Sequence, residues 1–194
     1  MAKAPIPGLS KTRLIPSIGA HAAAVLQERL TARAVETAAA AGIGPVTLWS
    51  APDPSHTSFR ELLTRHKITL KRQPEGDLGM RMLAAMTVDR PTLVIGTDCP
   101  ALTPAHLRDA TAALADADVV LIPAEDGGYV LIGAHAAQPE LFSGIAWGTS
   151  SVLQETRKRI SSLQLTAAEL PSLWDLDTEA DLARLERIFP EMAL

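Results

Sequence analysis

The stretch that most constrains the fold is Thr92 to Pro100, TLVIGTDCP. Thr92, Leu93, Val94 and Ile95 form a short run without polar alternation, which reads as a strand buried on both faces. Gly96 ends the run, Asp98 follows two residues later, and Pro100 prevents the strand from continuing. Open α/β sheets bind ligands beyond the carboxyl ends of their strands. A carboxylate at that position predicts a divalent metal held against the phosphates of a nucleotide.

The rest of the chain fits a parallel sheet. Strand-like runs at PVTLWS (Pro45 to Ser50), Ile68 to Lys71, DVVLIP (Asp118 to Pro123) and the segment after Glu125 alternate with helical patterns. That alternation predicts an α/β protein in a single domain over 1–194. The first helix spans about Ala20 to Ala41, with Val25, Leu26, Leu30, Ala34, Val35 and Ala38 on one face and Gly42 as its cap. Thr103-Pro104 is an N-cap and first-turn pair ahead of Leu107, Ala110 and Leu114. Leu163 to Ala167 reads as an edge strand. Thr178 and Asp181 make a capping-box pattern before a last helix that buries Leu182, Leu185, Ile188 and Phe189. Glu125 to Ala134, EDGGYVLIGA, points to one antiparallel departure, because Asp-Gly is a hairpin signal.

Bulk properties narrow the function classes. A net charge of −4 over 194 residues argues against a nucleic-acid surface as the main function. Cys99 is the single cysteine, which excludes an internal disulfide and a cysteine zinc cluster; it reads as a small buried thiol. The five histidines show no ligand spacing. No apolar run approaches a membrane span and Met1 to Leu14 has no apolar signal core, so the expected location is the cytoplasm.

Three further segments carry chemistry. Ala2 to Pro16 is a loop by its prolines, and its charged residues Lys3, Lys11 and Arg13 are all basic. With Gly8 for backbone freedom, such a loop can close over phosphate oxygens; a solvated arm is the plain alternative. Lys11-Thr12 is not a Walker motif, because Ser10 stands where its second glycine is required. In QPEGDLGMRM, Gly76 and Gly79 bracket Asp77 and Leu78 just before a helix, where backbone N–H groups can approach a ligand; an ordinary strand-to-helix turn is the alternative. Asp126-Gly127-Gly128 sets a carboxylate beside two conformationally free residues, as a ligand contact or simply as a hairpin turn.

Taken in order, KTRL, GDLG, GTDCP, DGGY and WDLDTEADL resemble the bacterial DUF2064 group of nucleotide-diphospho-sugar transferases over nearly the whole chain. The KTRL and DLDTEADL segments are also similar to those of 2-phospholactate guanylyltransferases. The resemblance implies a single-domain GT-A-type, Rossmann-like three-layer sandwich with a mostly parallel sheet. It implies a metal-dependent glycosyltransferase using a nucleotide-diphospho-sugar donor, Mg²⁺ or Mn²⁺ and a small-molecule acceptor, with no nucleic-acid partner. The alternatives are a nucleotidyltransferase releasing pyrophosphate and a non-catalytic nucleotide-binding module.

Carried onto this chain, Asp98 and Asp177 match the metal-binding aspartates. Lys11 and Arg13 match the basic residues near the phosphates. The nucleotide side takes in Lys3, Pro7, Gly8, Thr97 and the Gly76-Asp77-Leu78-Gly79 segment. Asp126, Gly127 and Gly128 match the acceptor or sugar side, with Asp126 the candidate base. Trp147 is a candidate stacking residue, core packing being the alternative. Members of the resembling family begin with an apolar strand before AKAP. Met1 directly precedes Ala2 here, so that strand is expected to be absent, and restoring one upstream is expected to raise the melting temperature.

Overall fold

A computed structural model describes residues 1–88, 91–192 and 194. It is an α/β structure, as the alternation requires. The chain gathers into two compact units, each assembled from separated segments. The first comprises Met1–Arg72, Thr97–Leu102 and Asp175–Leu194, the second Gln73–Gly96 and Thr103–Trp174.

The first unit holds a parallel sheet in the order β1-β2-β3, from β1 (Ala2–Lys3), β2 (Val46–Ala51) and β3 (Ile68–Arg72). Ala2 pairs with Ser50, and Val46 with Ile68. The strand ahead of the basic loop is thus only two residues long and lies at the sheet edge. Helix α1 (Ile15–Ala41) begins five residues earlier than its pattern suggests, because Pro16 suits the first turn, and it breaks at Gly19, whose φ is 81°. Gly42, at φ 67°, ends it in the left-handed conformation that glycine adopts readily. Helix α2 (Thr57–Arg65) buries Phe59 and Leu62 against Ala2, Ala4, Val35 and Leu48, with Ile68 and Leu70 packed alongside.

The second unit holds α3 (Leu78–Met86), β4 (Thr92–Ile95), α4 (Pro104–Ala113), β5 (Val119–Pro123), β6 (Tyr129–Ala134), α5 (Val152–Ser162) and β7 (Ala167–Glu169). Its sheet runs β4-β6-β5-β7. Strand β6 is antiparallel to both neighbours, while β7 joins β5 in parallel at the edge. The reversal predicted after Glu125 is therefore present, and it makes this sheet mixed. A hairpin returns β6 along β5, and β6 then separates β5 from β4. Gly133 makes that insertion close, since a Cβ there would lie 2.3 Å from Leu93 Cδ2 and 2.7 Å from Val120 Cγ1. All five residues of β5 are buried, consistent with their unbroken apolar run.

Helix α6 (Glu179–Ile188), in the first unit, carries the predicted capping box. The Thr178 hydroxyl accepts from Asp181 N, and the Asp181 carboxylate accepts from Thr178 N at 2.8 Å. Leu182 and Leu185 are buried as expected; Ile188 is instead exposed.

Candidate functional site

Four of the residues singled out in the sequence meet within the first unit. The backbone brings the two acidic segments together first: Leu176 N donates to Asp98 O at 2.8 Å. Leu176 is fully buried, which anchors the WDLD strip and turns the residues on either side of it the other way. Lys11 reaches into this junction. Its Nζ lies 2.6 Å from Asp98 Oδ1 and 3.5 Å from Asp177 Oδ1, and it donates to Leu176 O at 2.5 Å. The contact with Asp98 is an ion pair without hydrogen-bond alignment. The Lys11 side chain is only 4% exposed, so its charge is met by these oxygens instead of bulk water. Arg13, 67% exposed, donates from NH1 to Asp177 Oδ2 at 2.9 Å. Each basic residue of the KTRL segment thus takes one oxygen of Asp177.

The loop is shaped for this. Ser10 is fully buried; its hydroxyl donates to Ala4 O at 2.7 Å and accepts from Ile6 N at 3.0 Å. Lys11 then adopts φ 46° and ψ 45°, the left-handed region that few residues other than glycine occupy. Such a conformation costs on the order of 1–3 kcal/mol and persists where the surroundings fix it. Leu14 N closes a short turn onto Lys11 O at 2.9 Å. The following Arg13 and the buried Leu14 sit on that turn.

Thr97, next to Asp98, is buried, and its hydroxyl accepts from Gln27 Nε2 at 3.2 Å. Gln27 Nε2 also reaches Thr31 Oγ1 at 3.3 Å. These buried polar groups of α1 hold the Asp98 loop, and the apolar-face reading of that helix passed over them. Cys99 is half-buried, as a small structural thiol would be; burial pushes it up to about 11, so it stays protonated near neutral pH. Lys3, Pro7 and Gly8 are exposed.

Sequence reasoning gave Asp175 no role, yet its carboxylate comes within 4.8 Å of that of Asp177. The signal was available: in an extended D-L-D strip the two aspartates share a face. Asp98, Asp177 and Leu176 O already surround a cation with oxygen atoms alone. Mg²⁺ and Mn²⁺ prefer oxygen donors, so this donor set fits such an ion.

The remaining candidates belong to the second unit. Asp77 caps α3, its Oδ1 accepting from Met80 N at 2.9 Å, while Leu78 is exposed. Gly76 has φ 114°, and Arg81 donates to its carbonyl at 3.0 Å. Gly79 is buried where a Cβ would lie 2.6 Å from Trp147 Cζ2 and 2.9 Å from Phe142 O. Trp147 stacks on Phe142, with ring centroids 6.5 Å apart. Trp147 thus packs against Phe142 and over Gly79 within the second unit. Asp126 is exposed in the β5–β6 turn, its Oδ1 accepting from Gly128 N at 2.8 Å. Gly127, at φ 91°, leaves no room for a side chain: a Cβ would stand 2.2 Å from Ser150 O. The DGG segment is a hairpin turn in which local geometry accounts for Gly127.

A family profile described as "Uncharacterized protein conserved in bacteria (DUF2064)" matches residues 34–149. Among solved structures, ten chains match. One, from Desulfovibrio desulfuricans G20, is named a "putative nucleotide-diphospho-sugar transferase"; it superimposes with a TM-score of 0.85 at 29% identity, covering 96% of this chain and 84% of that one. No curated protein matches.

Proposed function

We propose that this chain, which belongs to the DUF2064 family, is a metal-dependent transferase that uses a nucleotide-diphospho-sugar as glycosyl donor. The observation that carries the reading is the cation site of the first unit. Lys11 Nζ is held by Asp98 and Asp177 beside the exposed guanidinium of Arg13. The name of the similar structure from Desulfovibrio supports the same class of substrate.

Asp98 and Asp177 would hold Mg²⁺ or Mn²⁺, with Asp175 close enough to Asp177 to contribute. Bound there, the ion would offset the charge that develops on the departing nucleoside diphosphate. Arg13 extends a planar set of donors toward solvent from its anchor on Asp177, a geometry suited to phosphate oxygens. Lys11 supplies a second positive charge, on a side chain that leaves a constrained backbone. Asp126 is the residue to test as acceptor base, since its carboxylate is exposed.

Thermal denaturation with a panel of nucleotides and sugar nucleotides, with and without Mn²⁺, tests the reading. A ligand at a hundredfold excess over its dissociation constant stabilises by about 2.7 kcal/mol. The expected result is stabilisation that needs both metal and ligand and disappears in Asp98→Asn. Absence of any ligand-dependent shift would overturn the proposal. For ligands that bind, release of a nucleoside diphosphate marks glycosyl transfer, and release of pyrophosphate marks nucleotidyl transfer instead. Asp126→Asn is expected to keep the stabilisation and lose turnover.

A further inference from the structure

The residue that fills the carboxylate site is itself a cation on a flexible stem. We infer that Lys11 is a resident placeholder for the divalent ion: it keeps Asp98 and Asp177 converged before metal arrives, gives up their oxygens when the ion binds, and turns its charge to the phosphates. This inference rests on the metal-dependent reading above and deepens it.

Three observations carry it. The ammonium is surrounded by Asp98 Oδ1, Asp177 Oδ1 and Leu176 O at 2.6, 3.5 and 2.5 Å. An ion such as Mg²⁺ would need carboxylate oxygens at about 2.0–2.1 Å. It would seek the oxygens that the ammonium now holds, and an ammonium beside a divalent ion is strongly repelled. Next, the residue is a lysine. A guanidinium engages a carboxylate through a rigid fork, whereas an ammonium is a compact point charge that one ion can replace. The neighbouring arginine shows the contrast: Arg13 holds Asp177 by the other oxygen, Oδ2, and need not move when Oδ1 changes partner. Finally, the backbone at Lys11 is held at φ 46° by a loop pinned through Ser10, so the stem enters the site from a fixed origin. Exchange of partners then requires only rotation of the side chain.

Without its placeholder, Arg13 would remain on Asp177 Oδ2, but Asp98 Oδ1 and Asp177 Oδ1 would share no cation between them, and mutual repulsion would spread them. With it, the geometry is set in advance and the ion's net gain on binding is smaller. The placeholder therefore lowers affinity for metal alone and favours loading when phosphate is present to receive the displaced ammonium.

Mn²⁺ titration followed by electron paramagnetic resonance, without nucleotide, tests this on wild type and Lys11→Met, which keeps an unbranched stem without charge. Removing the competitor is expected to tighten Mn²⁺ binding about fivefold, the effect of one partly exposed ion pair. Equal or weaker binding in the variant would overturn the inference while leaving the metal reading intact. If neither protein binds Mn²⁺, the metal reading fails and the inference with it. Amine acylation of the wild type, read at Lys11 by mass spectrometry, decides the matter without a variant. Labelling is expected to rise with Mn²⁺ alone and to fall again when pyrophosphate is added. Labelling that Mn²⁺ leaves unchanged or lowers would overturn the placeholder role, and labelling that stays high with pyrophosphate would overturn the transfer to phosphate.

Discussion

Ser10 donates to Ala4 O and accepts from Ile6 N inside a fully buried environment. Replacing it by alanine removes both of its hydrogen bonds and leaves Ile6 N and Ala4 O paired only with each other, at 2.8 Å. Each hydrogen bond contributes about 0.5–1.5 kcal/mol net, so Ser10→Ala is expected to lower the unfolding free energy by about 1–3 kcal/mol, with a lower denaturation midpoint. It should also weaken any ligand that needs Lys11, because Ser10 immediately precedes the left-handed backbone at Lys11. Equilibrium urea unfolding and ligand titration of the same variant check both parts. An unchanged midpoint would mean the loop is held from elsewhere. The residue scale also shows where sequence reading reaches its limit. Asp98 stood out as an acid beyond a strand end and Lys11 and Arg13 as bases in a proline loop, whereas Asp177 was named only through the family resemblance. The φ of 46° was not legible, because Lys is a residue that gives no hint of a left-handed backbone. Asp175 was legible only to a reading that asked which residues share a face of an extended strip.

At the scale of elements, α4 and α6 are both started by a threonine whose hydroxyl accepts from the third helical N–H. In α4 the reciprocal partner is His106, whose Nδ1 accepts from Thr103 N at 3.1 Å, a position more often held by Glu. Strand β7 depends on a side-chain strap at its start. Asp118 Oδ2 accepts from Thr166 Oγ1 at 2.7 Å and from Thr166 N at 2.8 Å. These hydrogen bonds hold the Asp118 carboxyl below its ordinary value of 3.8. A carboxyl lowered on folding stabilises the fold above its unfolded pKa, and that stabilisation is lost as the pH falls through the folded value. Stability is therefore expected to decline through the acid range from about pH 5 downward, and Asp118→Asn should flatten that part of the curve. Urea midpoints measured across the range would show the difference, and parallel curves for the two proteins would refute it. The strand itself was expected two to four residues earlier. Its pairing with β5 is long-range, and no local pattern specifies the register.

For the whole molecule, the alternation of strands and helices was enough to establish an α/β class. It did not reveal that the strands divide between two sheets, since short apolar runs look alike wherever they pair. The hairpin after Pro123 was readable from Asp126-Gly127, but its outcome was not: β6 inserts between β5 and β4 because Gly133 leaves space for Leu93 and Val120 on either side. That insertion has a kinetic consequence. Strand β6 has backbone partners along both edges, and Leu131 and Ile132 are fully buried. Its amides point alternately to β4 and to β5, so all of them meet solvent only if both pairings fail. In deuterium oxide, peptides covering Tyr129–Ala134 should exchange last within the second unit, at the rate of its global opening. Peptides from β7, joined along one edge only in the described sheet, should exchange well before them.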